Sequence, residues 1–429
     1  MLNYSLEKMT KLDRELVLAR GDVDMSASLK SAQETIDAVR LGGDEALKAL
    51  AKKYDGFTGE SLTVPESEIR AALQKVSKDV LESLELSKNR IEKFHSMQEL
   101  KSFEFRDDSG AFGQMVVPLD SVGVYVPGGT ASYMSSVLMA CVPARIAGVK
   151  KIAICTPGKG GSVPSEILAA AALCGVSEVH PVGGAHAIAA MAYGTQSIAR
   201  VQKIVGPGGL FVSAAKLLVR NDCEIDFLAG PSEILVIADS KANPQLIARD
   251  MLAQLEHDPL ARAVLVATSK GIAGASQAEL DHLMSASARG EIASRAAKRG
   301  AIFIVAKSLD EAVEFSNEYA PEHLLLDVEK PESLLPKIRS AGSVFLGSTS
   351  SVVFGDYCSG TNHILPTKGK ASMKSSLSVY DFLKIIPYQR ISDAGAAKLS
   401  KTVDILARAE GLPAHADAAM ARARKEAKR

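Results

Sequence analysis

The sequence predicts an α/β protein with mostly parallel sheets. Three observations carry this: short apolar strand candidates alternate with helical segments, Pro and Gly punctuate the β-branched runs, and the strands outnumber what one sheet would hold. The alternation starts at MVVPLDSVGVYVPGGT and continues through KIAICT, EVHPVG, EILVIAD, RAVLVAT, AIFIVA, HLLLDV and SVFLG. Helical stretches such as SEILAAAALCG, AHAIAAMAYG and PQLIARDMLAQL lie between them. Before it, residues 25–104 read as helical, with Ile36, Val39, Leu47, Leu50 and Ala51 at roughly 3.6-residue spacing. After about Leu377 the chain reads as helical again, with no further strand expected.

A chain of 429 residues suits two substantial domains with appendages. The expected architecture is two Rossmann-like domains. The larger comprises 21–124 and 232–377 and is interrupted by the smaller, 125–231. A helical N-terminal arm, 1–20, and a helical tail, 378–429, complete it. Lys+Arg and Asp+Glu both number 50, so the composition gives no general reason to expect a nucleic-acid or acidic-membrane partner. No apolar run approaches the roughly 20 residues of a membrane span, and the N-terminus has no signal-like apolar region. The five cysteines are odd in number, widely spaced and set in apolar stretches, which indicates neither a disulfide framework nor a Cys-based metal site. A reducing cytoplasm fits.

Gln254 and His257 in QLEHDP are three apart at a helix end, so an amide oxygen and an imidazole share one face. By itself that spacing is commonly plain helix surface; a zinc site needs further ligands, for which Asp356 in FGDYCSGTNH and His415 in AEGLPAH are candidates. Glu322 and His323 in APEHLLL can share a site only if they sit in the turn entering a strand, because neighbours on a strand face opposite ways. Histidine is a natural proton acceptor for an alcohol near neutral pH. No GxGxxG follows a strand in the setting of an ordinary dinucleotide fingerprint. Instead VYVPGGT, VGGAHAIAA and IVGPGG each place glycines between a strand and a helix, where backbone N–H groups can hold phosphate oxygens. For any one of them a plain tight turn is the simpler reading, and three in one region suggest a dinucleotide.

Together VGVYVPGGTASY, VGGAHAIAAMAYGT, KIVGPGG, AGPSEILVIAD, AQLEHDP, APEHLLL, GDYCSGTNHILPT and ARAEGLPAH resemble the histidinol dehydrogenase family in order and spacing, over roughly residues 20–420. The resemblance implies oxidation of L-histidinol through L-histidinaldehyde to L-histidine, the last step of histidine synthesis, with two NAD and one zinc per subunit. It implies Gln254, His257, Asp356 and His415 as zinc ligands, with His415 crossing from the partner subunit of a homodimer. Glu322 and His323 would be the catalytic pair. Ser232, His363 and Glu410 would help to hold the substrate, together with His323 and the zinc ligands. Tyr125, His186 and Gly209 occupy positions that contact NAD in the family. The family usually has Gln at the second and Asn at the third of these, so weaker or altered cofactor binding is expected. A paralogue oxidising another small polyol, such as sulfopropanediol, is the alternative that this pattern leaves open.

Overall fold

The computed structural model describes residues 1–20, 25–128, 132–158 and 160–423. The chain opens with β1 (Leu2–Ser5), α1 (Lys11–Ala19), α2 (Ser26–Tyr54), α3 (Glu66–Lys75) and α4 (Lys78–His95). A hairpin of β2 (Phe103–Asp107) and β3 (Gly110–Pro118) follows. Next come β4 (Ser121–Tyr125), α5 (Met134–Ala147), β5 (Lys151–Cys155), α6 (Ser165–Leu173), β6 (Glu178–His180), α7 (Gly184–Tyr193), β7 (Lys203–Val205), α8 (Leu210–Val219) and β8 (Glu224–Ile225). A second alternating run holds β9 (Glu233–Ala238), α9 (Pro244–Leu255), β10 (Arg262–Ala267), α10 (Lys270–Ala286), α11 (Gly290–Gly300), β11 (Ala301–Val305), α12 (Leu309–Tyr319), β12 (His323–Asp327), β13 (Ser343–Leu346) and α13 (Val352–Tyr357). The chain ends with β14 (Leu383–Ile391), α14 (Asp393–Ala409) and α15 (Pro413–Ala423).

Two compact units divide the chain. The first, Met1–Met97 with Asp120–Asp381, contains both parallel sheets. Its five-stranded sheet runs β6-β5-β4-β7-β8 and its six-stranded sheet β1-β11-β10-β9-β12-β13. In each, the chain steps outward on one side and then returns to start the other side, so each has a reversal of winding, at β4/β7 and at β9/β12. Crevices that take ligands in open α/β sheets form at such reversals. Strand residues alternate between the two faces as the pleat requires: Ile234, Val236, Leu265, Phe303 and Leu325 join one apolar cluster, and Leu235, Ile237, Val264, Ile302 and Leu324 another. Helix α6 is apolar nearly all round because α3 packs against it, just as α2 covers α7 and α8.

The second unit, Gln98–Leu119 with Phe382–Arg429, carries an antiparallel sheet ordered β14-β3-β2 and the paired helices α14 and α15. Three expectations are corrected here. The arm 1–20 is not wholly helical: β1 extends the six-stranded sheet beside β11, with Leu2 opposite Ile302. Four residues are too few for a periodic signal. The tail contains a nine-residue strand, β14, which pairs along β3 from Leu383–Pro118 to Ile391–Gly110. Pro387 argues against a central strand, yet β14 is at the sheet edge, where the missing N–H is tolerated. Finally, the β2–β3 hairpin belongs with this tail rather than with the larger α/β domain.

Candidate active site

The main site lies at the β9/β12 reversal, at the amino ends of those strands. Helix α12 ends at Ala320, which takes a left-handed conformation (φ 47°), and Pro321 then turns the chain into β12. This exit puts Glu322 just before the strand and His323 at its first residue, opposite Ile234 of β9. The backbone of a single residue of β9, Glu233, grips both side chains. The Glu233 N–H donates to Glu322 Oε2 at 2.8 Å, and the Glu233 carbonyl lies 3.1 Å from His323 Nδ1. A carbonyl can only accept, so Nδ1 carries the proton and Nε2 is the variable nitrogen. Both side chains are buried.

His323 Nε2 is 3.4 Å from Asp356 Oδ1, yet it makes no aligned hydrogen bond and is a buried polar atom without a partner. Burial works against a charged imidazole here, but Glu322 and Asp356 outweigh it and hold the proton affinity of His323 well above the usual histidine value. Burial alone would raise Asp356; His323, followed by His363 and His257, reverses that and leaves it below the usual carboxylate range. Three histidines therefore act on one carboxylate, His323 most strongly. His363 Nδ1 donates to the Asp356 carbonyl at 2.7 Å, which leaves Nε2 to accept from Ser136 Oγ at 3.2 Å. Burial lowers the proton affinity of His363, so this ring is neutral.

Helix α9 is started by Asn243, whose side chain accepts from the Gln245 N–H, with Pro244 in the first turn. At its far end the side chain of Gln254 is buried and His257 is exposed just beyond, where the His257 N–H still donates to the Gln254 carbonyl. Ser232 is half-buried and directly precedes the Glu233 peptide. Among the described residues no group of three or more His, Cys, Asp or Glu side chains is assembled to hold a metal. Gln254 is outside such a set. Glu410 and His415 are both exposed in the second unit, on either side of the Gly411 turn between α14 and α15.

Behind the pair, the Glu233 side chain is buried between Arg20 (3.1 Å), Tyr319 OH and the Lys368 N–H, and the Arg20 guanidinium sits over the Tyr319 ring. Burial pushes the Glu233 carboxyl up to about 7, despite Arg20.

The glycine turns cluster at the carboxyl edge of the five-stranded sheet. After β7, Gly206 has φ 113°, and a side chain there would collide with the Tyr125 carbonyl at the end of β4. Gly209 then caps α8 and faces open space. At the start of α7, Asp55 Oδ2 accepts from the Gly183 N–H and lies 2.8 Å from His186 Nε2, and Tyr125 OH accepts from the Gly184 N–H. This second turn is thus filled by the protein's own side chains, which corrects its reading as a phosphate cradle. In VYVPGGT, Gly129 and Thr130 lie outside the described residues.

A family model described as histidinol dehydrogenase matches residues 18–423. The histidinol dehydrogenase of Methanothermobacter thermautotrophicus is 46% identical over 417 residues, covering 96% of this chain and 98% of the relative. That of Listeria monocytogenes serotype 4b is 44% identical over 407 residues, covering 94% and 95%. The crystal structure of histidinol dehydrogenase from Elizabethkingia anophelis matches with a TM-score of 0.95 at 35% identity, covering 100% of this chain and 99% of that one.

The chain belongs to the histidinol dehydrogenase family. It is accordingly an oxidoreductase, and Glu322, His323 and Asp356, from the segments APEHLLL and GDYCSGTNH, lie together, with His257 of QLEHDP adding to the field at Asp356. Two contributors to this cluster escape sequence reasoning. Glu233 acts through its peptide, which no side-chain pattern reveals. Ser136 reaches His363 from α5, more than 200 residues away, with no local spacing to signal it.

Proposed function

We propose that this chain oxidises L-histidinol through L-histidinaldehyde to L-histidine, using two NAD and one zinc, as the last step of histidine synthesis. The observation that carries this reading is the buried Glu322–His323 pair held by the backbone of one residue, Glu233, with the unpartnered His323 Nε2 3.4 Å from Asp356 Oδ1. Nε2 is the atom that takes the alcohol proton. Glu322 Oε2 is engaged by the Glu233 N–H, which leaves Oε1 to take a proton from water as the aldehyde is hydrated. Burial of both groups keeps bulk water from the aldehyde.

Gln254, His257 and Asp356 would hold zinc as neutral amide, imidazole and carboxylate donors, with His415 of the partner subunit as the fourth. Engagement of Asp356 by a cation would weaken its hold on the His323 proton and so leave more of the ring neutral, with Nε2 free to accept. Ser232, His363 and Glu410 hold the substrate beside them. NAD fits the β4/β7 reversal: Gly206 abuts the end of β4 at Tyr125, Gly209 faces open space, and His186 lies on α7. The carboxyl edge of the other reversal holds Asp239 and Asp327 with Asp250 nearby; burial and these two neighbours push Asp327 up to about 6, so that edge repels phosphate. When bound, NAD supplies the hydride acceptor and zinc an orienting charge for the substrate nitrogens.

A homodimer with shared sites fits the second unit, where Ile385, Ile405 and Leu406 are exposed apolar side chains that a second copy would cover. The five free cysteines, four of them buried, suit a reducing cytoplasm. The test is the yield of NADH from limiting L-histidinol with the zinc-loaded protein. Two per substrate is expected, and one or none overturns the reading.

A further inference from the structure

Beneath the turn after β7 lies a buried ion pair that the chemistry above does not use. Lys216 of α8 and Asp226, just beyond β8, meet at 2.5 Å, with side chains 2% and 1% exposed. Isolating two charges this far from water is costly, and such a pair is often no more stabilising than apolar residues of similar volume. What distinguishes this pair is its second set of bonds. Asp226 Oδ2 accepts from the Gly206 N–H at 2.8 Å, and Lys216 Nζ donates to the Gly206 carbonyl at 2.7 Å. Both polar groups of one glycine are therefore held by opposite charges that are themselves paired.

Gly206 is the residue at which such a grip has most effect. It has a positive φ, abuts the Tyr125 carbonyl across the winding reversal, and begins the run Gly206-Pro207-Gly208-Gly209, whose three glycines would otherwise sample many conformations. Further along the run, Ser213 Oγ donates to the Ala229 carbonyl at 2.9 Å and lies 3.5 Å from that of Gly208, so the turn's other end is held more loosely.

We propose that Lys216 and Asp226 are positioning residues for the dinucleotide: through Gly206 they set the turn that receives NAD, without touching the cofactor. The proposal rests on the reading of this turn as the NAD site. Two variants test it, Asp226→Asn and the double Lys216→Met/Asp226→Leu, which removes both charges and so avoids stranding one in the core. NAD binding is measured by calorimetry alongside thermal stability and steady-state kinetics. We expect the NAD dissociation constant and KM to rise at least about tenfold in both variants, while kcat at saturating NAD and KM for histidinol move less than about threefold. In the double variant this loss persists even where the melting temperature returns to the native value. A folded double variant with native NAD affinity overturns the proposal, as does a loss confined to kcat. If the native protein itself shows no NAD binding, the underlying reading of the site fails instead.

Discussion

His323 is the residue on which the proposed chemistry depends most directly. Its Nδ1 is committed to the Glu233 carbonyl, so one nitrogen is left for proton transfer. His323→Asn, which removes the base, should lower kcat by about 10²–10⁴-fold with little change in the NAD dissociation constant. Steady-state rates together with calorimetry check both parts. Gly209 offers the opposite kind of test. A side chain there meets open space, and its backbone (φ −67°, ψ −175°) suits any residue, so Gly209→Asn should fold without strain, add a capping side chain to α8, and tighten NAD binding. Unchanged affinity would count against the deleted side chain as the cause of weak cofactor binding. Both positions were legible as sequence, because motif residues stand out by type. What sequence did not reveal was their surroundings: that His186 is buried on Asp55, or that Asp356 lies 3.4 Å from His323, follows from packing between distant segments.

Among the elements, the parallel strands were the most readable, since burial on both faces demands unbroken apolar runs such as EILVIA and RAVLVA. The strands missed were edge strands, β1, β2, β8 and β14, which need no such runs. Strand β9 makes its own prediction through Glu233. Burial raises its carboxyl from 4.5 to about 7 in the folded protein. Between those values the folded state holds more protons than the unfolded chain, so this group's contribution to stability falls as pH rises through about 4.5–7. Glu233→Gln lacks that proton. Relative to this variant, the native protein should lose on the order of 1–3 kcal/mol between pH 5 and pH 8 in denaturant melts, and parallel pH profiles would refute the idea.

At the scale of the whole molecule, Glu410 and His415 belong to a different compact unit from Glu322 and His323. If His415 serves the site of the partner subunit, mixing His323→Asn with His415→Ala under conditions that exchange subunits should restore about a quarter of the native activity, since half the dimers then hold one intact site. No recovery would mean that each chain completes its own site. Discontinuity of the second unit was not legible, because nothing in residues 98–119 points to a partner beyond residue 381. It also bears on how the protein is made. Strand β3 emerges from the ribosome with one edge unpaired and with Phe103 and Phe105 exposed on the neighbouring β2, and the strand that covers that edge, β14, follows about 260 residues later. At typical rates of synthesis that is a wait of roughly 15–50 s, so the hairpin is where a nascent chain is most exposed to aggregation and where a chaperone has most to protect.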